Sequence, residues 1–174
     1  MRSVLVGMVL CRGRLSQPSH QEEHMGKFSI STTIDRPRHE VWQTLADLGS
    51  IEVWNPGVVK SYWTSDHREG LGAARHCDLK PFGTLEERAT AWDHGERLTI
   101  DIHEHTKMPF DRAEADFILS DEGHGTKVDL HYSYHMKYGP IGRLVDRFAV
   151  RKQLIKGLGG LLKGLKRHVE QASA

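Results

Sequence analysis

Residues 139–171 read GPIGRLVDRFAVRKQLIKGLGGLLKGLKRHVEQ, and this stretch decides the fold. Pro140 suits a first helical turn, because its missing N–H has no helical partner there. Apolar residues then recur at the spacing of one helix face, namely Ile141, Leu144, Val145, Phe148, Ile155, Leu158, Leu162, Leu165 and Val169. The stretch therefore predicts an amphipathic helix of about eight or nine turns.

Four glycines interrupt this helix, although each costs about 1 kcal/mol relative to alanine in a helix interior. Helical spacing places Gly157, Gly160 and Gly164 along one edge of the leucine stripe. One interpretation is close packing against a sheet or a local kink, which is a common use of glycine. The other is that the missing side chains leave room for a ligand beside the helix.

The chain before this helix reads mainly as strands. An alternating stretch at 27–34 is followed by a helix-start signal at Asp35-Arg36-Pro37 and by two short helices. Strand patterns follow at 58–65, 72–79, 84–93, 97–106, 112–120 and 126–137. Because short connections force consecutive strands to pair antiparallel, we expect a meander. Its apolar face must be covered, and the terminal helix is the only element long enough to cover it.

This order of elements resembles the START-like helix-grip (SRPBCC) superfamily. The resemblance rests on IDRPRHEVWQTLADLGSIEVWNPGV at 34–58, on the strands holding residues 72–75 and 85–88, on Trp92-Asp93, and on the final helix. That superfamily includes polyketide cyclases/dehydrases, lipid-transfer domains and plant hormone-binding proteins. The resemblance implies an α+β fold, in which a curved antiparallel sheet of about seven strands wraps around the long helix. It also implies an apolar ligand between sheet and helix, although fold alone does not give an activity.

Strand alternation sorts side chains by face and so predicts which of them line such a cavity. Small residues at Ala113 and Ala115 would leave volume among bulkier neighbours. The predicted apolar lining consists of Ile100, Ile102, Phe117, Leu130, Tyr132, Tyr134, Phe148, Leu158 and Leu162. The expected ligand is a small hydrophobic molecule of lipid-, isoprenoid- or polyketide-like chemistry, and no cofactor is predicted.

Two charged residues fall on apolar strand faces. Arg75 shares its face with Ala73 and Cys77, and Glu87 shares its face with Leu85. The turn that follows the first of these strands makes them hairpin partners, so Arg75 and Glu87 should lie opposite each other. Buried charges have to be paired or solvated. The pair is therefore either a structural ion pair or a polar anchor for a ligand, with Arg75 meeting a carbonyl or anionic group.

An enzymatic alternative depends on acid and base residues in the cavity. Glu104 follows the Ile100 and Ile102 face, and at a pocket mouth its raised pKa would make it a general base. Tyr132 or Tyr134 would then donate the proton. The reaction expected from the resemblance is cyclisation or dehydration.

Histidines on the opposite strand faces are candidate metal ligands. His103 and His105 lie i,i+2 on one strand, and His131 and His135 lie on another, which is spacing that zinc could use. A third strand separates the two clusters, however, and their faces should be the outside of the sheet. We therefore predict surface histidines and no metal site.

Composition limits the remaining possibilities. The chain has 174 residues and a net charge of +1, which fits one domain and predicts no nucleic-acid partner. Only Cys11 and Cys77 are present, so a reducing, cytoplasmic location is expected. No apolar run approaches the roughly 18 residues of a transmembrane segment. Basic residues of the last helix, such as Lys163, Lys166 and Arg167, leave a peripheral membrane or protein contact open.

Residues 1–25 are predicted to be an extension outside the domain. The apolar run at 4–11 is short for a signal-peptide core, and basic residues follow where small ones are expected. Residues 16–24 are polar and unpatterned, which indicates disorder. Met25 is also a candidate translation start, and the helix-grip domain is predicted to span 26–174.

Overall fold

Seven strands and two α-helices make up the part of the chain that the computed structural model describes, which is residues 25–81, 83–137 and 149–172. In chain order these elements are β1 Met25–Ile34, α1 Arg38–Ala46, β2 Val58–Trp63, β3 Ala74–Leu79, β4 Gly83–Asp93, β5 Arg97–His103, β6 Phe110–Glu122, β7 Gly125–Met136 and α2 Arg151–Ala172. A 3-10 helix, Leu48–Val53, follows α1. The predicted element order is confirmed. Residues 1–24 and the predicted start of the long helix at Pro140 lie outside the described residues.

All seven strands form one sheet in the order β1-β7-β6-β5-β4-β3-β2, and every neighbouring pair is antiparallel. Strands β2 to β7 are a meander, because each pairs with its neighbour in sequence across a short turn. The α1 and 3-10 helices carry the chain between β1 and β2, which are the two edges. The α+β helix-grip fold predicted above is therefore confirmed.

Side-chain alternation in the sheet follows the predicted faces. In β7, Leu130, Tyr132 and Tyr134 are buried, whereas His131 between them is exposed. The inward residues of β6 are equally buried, including Ala113 and Ala115. One face of the sheet thus forms the core, as the period of two requires.

The long helix α2 buries most of its apolar residues in its C-terminal half. Its buried residues are Leu161, Leu162, Gly164, Leu165 and Val169. Lys166 Nζ donates to the Thr33 carbonyl at 2.6 Å, and Arg36 Nη2 donates to the Glu170 carbonyl at 3.0 Å. These contacts fix the helix to β1 and to the turn before α1. Residues 151–160 of the helix carry no fully buried side chain, and this part of α2 stands over the inner face of the sheet.

The helix glycines divide between the two interpretations. A Cβ atom on Gly164 would lie 2.1 Å from the backbone carbonyl oxygen of Trp54, so this glycine permits close packing. At Gly157 and Gly160 no atom lies within 4 Å of such a Cβ among the described residues. Close packing therefore accounts for the glycine at 164, whereas Gly157 and Gly160 face open space beside the helix.

Candidate ligand-binding site

A cavity of about 400 Å³ lies between the N-terminal half of α2 and the inner face of the sheet. Seven of the predicted lining residues line it, and they are Arg75, Glu87, Ile100, Ile102, Phe117, Tyr132 and Leu158. The alternation of side chains along the strands was enough to predict those lining residues that belong to strands. Phe148 was predicted as well, but it falls outside the described residues.

Three predicted lining residues do not line the cavity. Leu130, Tyr134 and Leu162 are buried in the core, and the first two lie on β7 opposite Ile30 and Gly26 of β1. The Tyr134 ring is 6.3 Å from the ring of Phe28 on β1 and 6.2 Å from that of Phe110. Because strand faces give direction but not the packing of the helix, the sequence could not separate these core residues from those that line the cavity.

Sequence reasoning missed the lining contributed by helices and loops. The 3-10 helix and the turn after it provide Leu48, Ile51 and Trp54, and the β5–β6 loop provides Met108 and Pro109. The sequence contained a pattern that could have identified Leu48, Ile51 and Trp54, because their i, i+3, i+6 spacing places them on one face of a 3-10 helix. The loop residues carry no such pattern.

The inward charges Arg75 and Glu87 are paired, as predicted. They are direct partners in the β3–β4 register, and Arg75 Nε donates to Glu87 Oε2. Arg75 Nη1 also donates to the Leu48 carbonyl at 2.8 Å, and the arginine is only 5% exposed. Burial, the largest single influence, opposes the charge of Arg75, but Glu87 and Cys77 together outweigh it and raise the guanidinium pKa. The cavity wall thus holds a charge pair that is neutral in sum.

Cys77 and Tyr132 complete the polar edge beside Glu87. Cys77 Sγ lies 3.6 Å from Glu87 Oε2, and burial together with that carboxylate raises the pKa of the thiol. Burial and the same carboxylate also raise the pKa of the Tyr132 hydroxyl. Both groups therefore stay protonated at neutral pH. The Tyr132 hydroxyl has no hydrogen-bond partner among the described residues, so it is available to a ligand.

The prediction that Glu104 lies on the cavity face is wrong. Strand β5 ends at His103 rather than at Thr106, and Glu104 follows with a φ of 45°. This left-handed residue turns the chain out of the sheet, so the period of two no longer applies. Glu104 is exposed and does not line the cavity. The structure therefore does not bring Glu104 together with Tyr132.

Of the four histidines predicted to lie at the surface, His105 is half-buried beyond the end of β5, with its ring 4.9 Å from that of Phe110. The other three each lie close to a local polar neighbour. Polar atoms lie near His103 (Asp101, 3.3 Å), His131 (Ser29, 2.6 Å) and His135 (Asp111, 2.7 Å). Across the described ranges, no three histidine, cysteine or acidic side chains cluster so that they could hold a metal ion. No described helix is long and apolar enough to cross a membrane.

Sheet, long helix and apolar cavity together define a helix-grip protein with an internal cavity. The chain belongs to the family described as polyketide cyclase/dehydrase and lipid transport, which matches residues 25–170. This match confirms the resemblance noted in the sequence.

Two solved structures share the fold. The crystal structure of Ara h 8.0201 aligns with a TM-score of 0.69 and 15% identity, over 83% of this chain and 97% of that one. That of TTHA0849 from Thermus thermophilus aligns with a TM-score of 0.72 and 25% identity, over 86% of this chain and 100% of that one. No curated protein matches the sequence.

Replacing Tyr132 with phenylalanine tests the free hydroxyl. Because no hydrogen bond within the described residues is lost, we expect the free energy of unfolding to change by less than about 1 kcal/mol. Affinity for a ligand with a carbonyl or hydroxyl group should fall about fivefold, which is the net worth of one hydrogen bond. Urea denaturation and ligand titration measure the two effects. Tyr62→Phe on the outer face is the control, and an equal loss of affinity there would contradict the assignment.

Proposed function

We propose that the protein binds a small hydrophobic molecule, of lipid-, isoprenoid- or polyketide-like chemistry, in the cavity under α2. The observation that carries this proposal is the cavity itself, which holds about 400 Å³ and is lined mainly by apolar side chains. Ligand pockets commonly hold about 300 to 1,000 Å³. Membership of a family described by lipid transport supports the same function.

The helix sequence supports a cavity that is built into the fold. Gly157 lines the cavity, and no described atom lies within 4 Å of where its Cβ would be. An alanine there would favour the helix by about 1 kcal/mol. Space beside Gly157 is therefore maintained at a cost in helix stability, which fits a ligand site better than a packing defect.

Binding is favoured over turnover by the state of the acid and base groups. The predicted general base, Glu104, lies outside the cavity. Glu87 does line it, but its carboxylate accepts a hydrogen bond from Arg75. The raised pKa of Tyr132 keeps its phenol neutral, so it serves as a hydrogen-bond donor to a bound molecule.

Docking through the basic face of α2 has less support than ligand binding. Of the three basic residues singled out in the sequence, Lys166 is held within the fold by the Thr33 carbonyl and lies 3.5 Å from the Glu170 carboxylate. Lys163 and Arg167 are exposed. A cytoplasmic location remains part of the proposal and rests on the low cysteine content.

Blocking the cavity from the helix side tests the proposed function. In the variant Gly157→Leu the new side chain can enter the open space without a clash at Cβ, and leucine favours helix. We expect the protein to fold and its affinity for apolar ligands to fall at least about tenfold, because each displaced CH₂ contact is worth about 0.8 kcal/mol. Titration with an uncharged apolar fluorophore such as N-phenyl-1-naphthylamine measures the loss.

The matched control is Gly160→Leu, which makes the same change on the same helix at a position that does not line the cavity. Equal binding by the wild type and Gly157→Leu would count against the site. Native mass spectrometry of the freshly purified protein, followed by denaturing extraction, identifies the class of any bound molecule. A clean apo mass together with no fluorophore binding would rule out the proposed function.

A further inference from the structure

The cavity reaches the surface at one end of the sheet. Its exposed lining residues are Gly57, Lys80, Ala149, Gln153 and Gly157. The first two lie just before β2 and just after β3, where the register pairs Val58 with Leu79. The other three belong to the first turns of α2 and the residues just before it. This end, which we call the mouth, is therefore where a ligand meets solvent in the described part of the chain.

Exposed lysines occur on the segments that form the mouth. Lys80 itself lines the cavity, and it forms no ion pair within the described residues. Lys107, Lys152 and Lys156 are also exposed, and each is the sequence neighbour of a lining residue: Met108, Gln153 and Gly157. None of these three forms an ion pair within the described ranges either. The mouth thus carries several cations that no described carboxylate neutralises.

Several acids at this end are engaged by histidines, as Asp78 is by His76 at 3.2 Å. Asp111 at the start of β6 is bonded to His135 at 2.7 Å. Glu104 is exposed in the β5–β6 loop, on the side of Lys107. The far end of the sheet carries acids as well as basic residues, since Arg38 pairs with Asp121 and Arg97 pairs with Asp116. The feature of the mouth that bears on a ligand is therefore Lys80, which lines the cavity and has no carboxylate partner among the described residues.

The interior is unsuited to an ion. Arg75 and Glu87 neutralise each other, so neither offers a net charge to a ligand, and burying an unpaired ion is costly. The other walls are mainly apolar. An anionic group is consequently stable only at the mouth, where lysines and water reach it, while apolar chain is stable only inside.

We infer that the ligand is an amphiphile with an anionic head, whose apolar chain fills the cavity and whose carboxylate or phosphate lies beside Lys80 at the mouth. The inference rests on the proposed function and adds the class of the head group and the orientation of the molecule. Lys80 is the principal contact because it alone among the four lysines lines the cavity.

The test compares three ligands with one chain, decanoate, decanol and decylamine, by displacement of N-phenyl-1-naphthylamine. We expect decanoate to bind about three- to tenfold more tightly than decanol, the range of a few exposed ion pairs. Decylamine, which is cationic at neutral pH, should be the weakest. Since exposed charges are screened, the preference for decanoate should shrink as salt is raised from low concentration to about 1 M.

Reversing the charge of Lys80 tests where the anionic head group of the ligand lies. In Lys80→Glu the preference for decanoate over decanol should be lost, while affinity for decanol stays within about twofold of wild type. Lys163→Glu, also exposed but in the anchored half of α2, is the matched control and should keep the preference. Equal binding of decanoate and decanol by the wild type, or an unchanged preference in Lys80→Glu, overturns the inference and leaves the cavity intact. Failure of all three ligands to displace the fluorophore overturns the proposed function as well.

Discussion

Replacing Glu87 with leucine is expected to lower the free energy of unfolding by about 3 to 5 kcal/mol, the usual effect of removing one partner of a buried ion pair. The variant leaves the Arg75 guanidinium, 5% exposed, without its carboxylate. The remaining hydrogen bond, from Arg75 Nη1 to the Leu48 carbonyl, satisfies only part of a five-donor group. Urea denaturation followed by far-ultraviolet circular dichroism measures the loss.

The double variant Arg75→Met/Glu87→Leu is the matched control. Apolar residues of similar volume often replace a buried ion pair with little loss of stability or with a gain. We therefore expect the double variant to recover most of the stability lost in the single one. If the single and double variants were equally unstable, the loss would come from packing around Glu87 and not from the unpaired charge of Arg75.

The same double variant separates the two roles left open for this pair. A purely structural ion pair predicts unchanged affinity for ligands once stability is restored. An anchor predicts that ligands with a carbonyl or hydroxyl group lose affinity, while plain hydrocarbons gain it, because the wall has become apolar. Because Arg75 and Glu87 both line the cavity, we expect the second result.

The second large loss of stability is expected when Gly164 is replaced by alanine. A Cβ atom there would lie 2.1 Å from the Trp54 carbonyl oxygen and 3.2 Å from Pro56 Cδ. The nearer atom belongs to the backbone, so the clash is relieved only if the helix and the turn after the 3-10 helix move apart. We expect Gly164→Ala to destabilise the fold by about 1 to 3 kcal/mol, as overpacking does, in spite of the better helix propensity of alanine.

Gly160→Ala makes the same change one helical turn earlier. No described atom lies within 4 Å of its new Cβ, so the propensity gain of up to about 1 kcal/mol should appear in full. Opposite signs of the two changes in urea midpoint would support a helix seated at Gly164 and free at Gly160. A gain of stability in both variants would contradict the close approach at Trp54.

These two sites explain how the fold keeps a cavity. The C-terminal half of α2 is locked by Gly164, Leu165 and Val169, all buried against the core. In the N-terminal half, Leu154 and Leu158 are only partly buried against the core, and both line the cavity. The helix thus packs more loosely at its N-terminal end, and the cavity lies there.

Much of the fold followed from local patterns. The period of two in residues such as Leu130, Tyr132 and Tyr134 was enough to orient β7. Short turns then imposed the antiparallel order, and the hairpin placed Arg75 opposite Glu87. These features depend on residues adjacent in sequence or on directly paired strands. They can therefore be predicted from the sequence alone.

The location of the site depends on distances between elements that are far apart in the chain, and local sequence patterns do not predict such distances. Leu130, Tyr134 and Leu162 share their faces with lining residues, yet the cavity is lined by Tyr132 and Leu158 and not by these three, which are buried in the core. Glu104 left its predicted face because a single residue at φ 45° ended the strand.

The sequence by itself determined the strands, their order, the inward charge pair and the gripping helix, because periodicity and short turns act locally. Only the tertiary structure decided where the cavity lies, which predicted residues do not line it and that Lys80 lies at its mouth. Those properties depend on how α2 packs on the sheet through contacts between residues far apart in the chain, among them the close approach of Gly164 to Trp54.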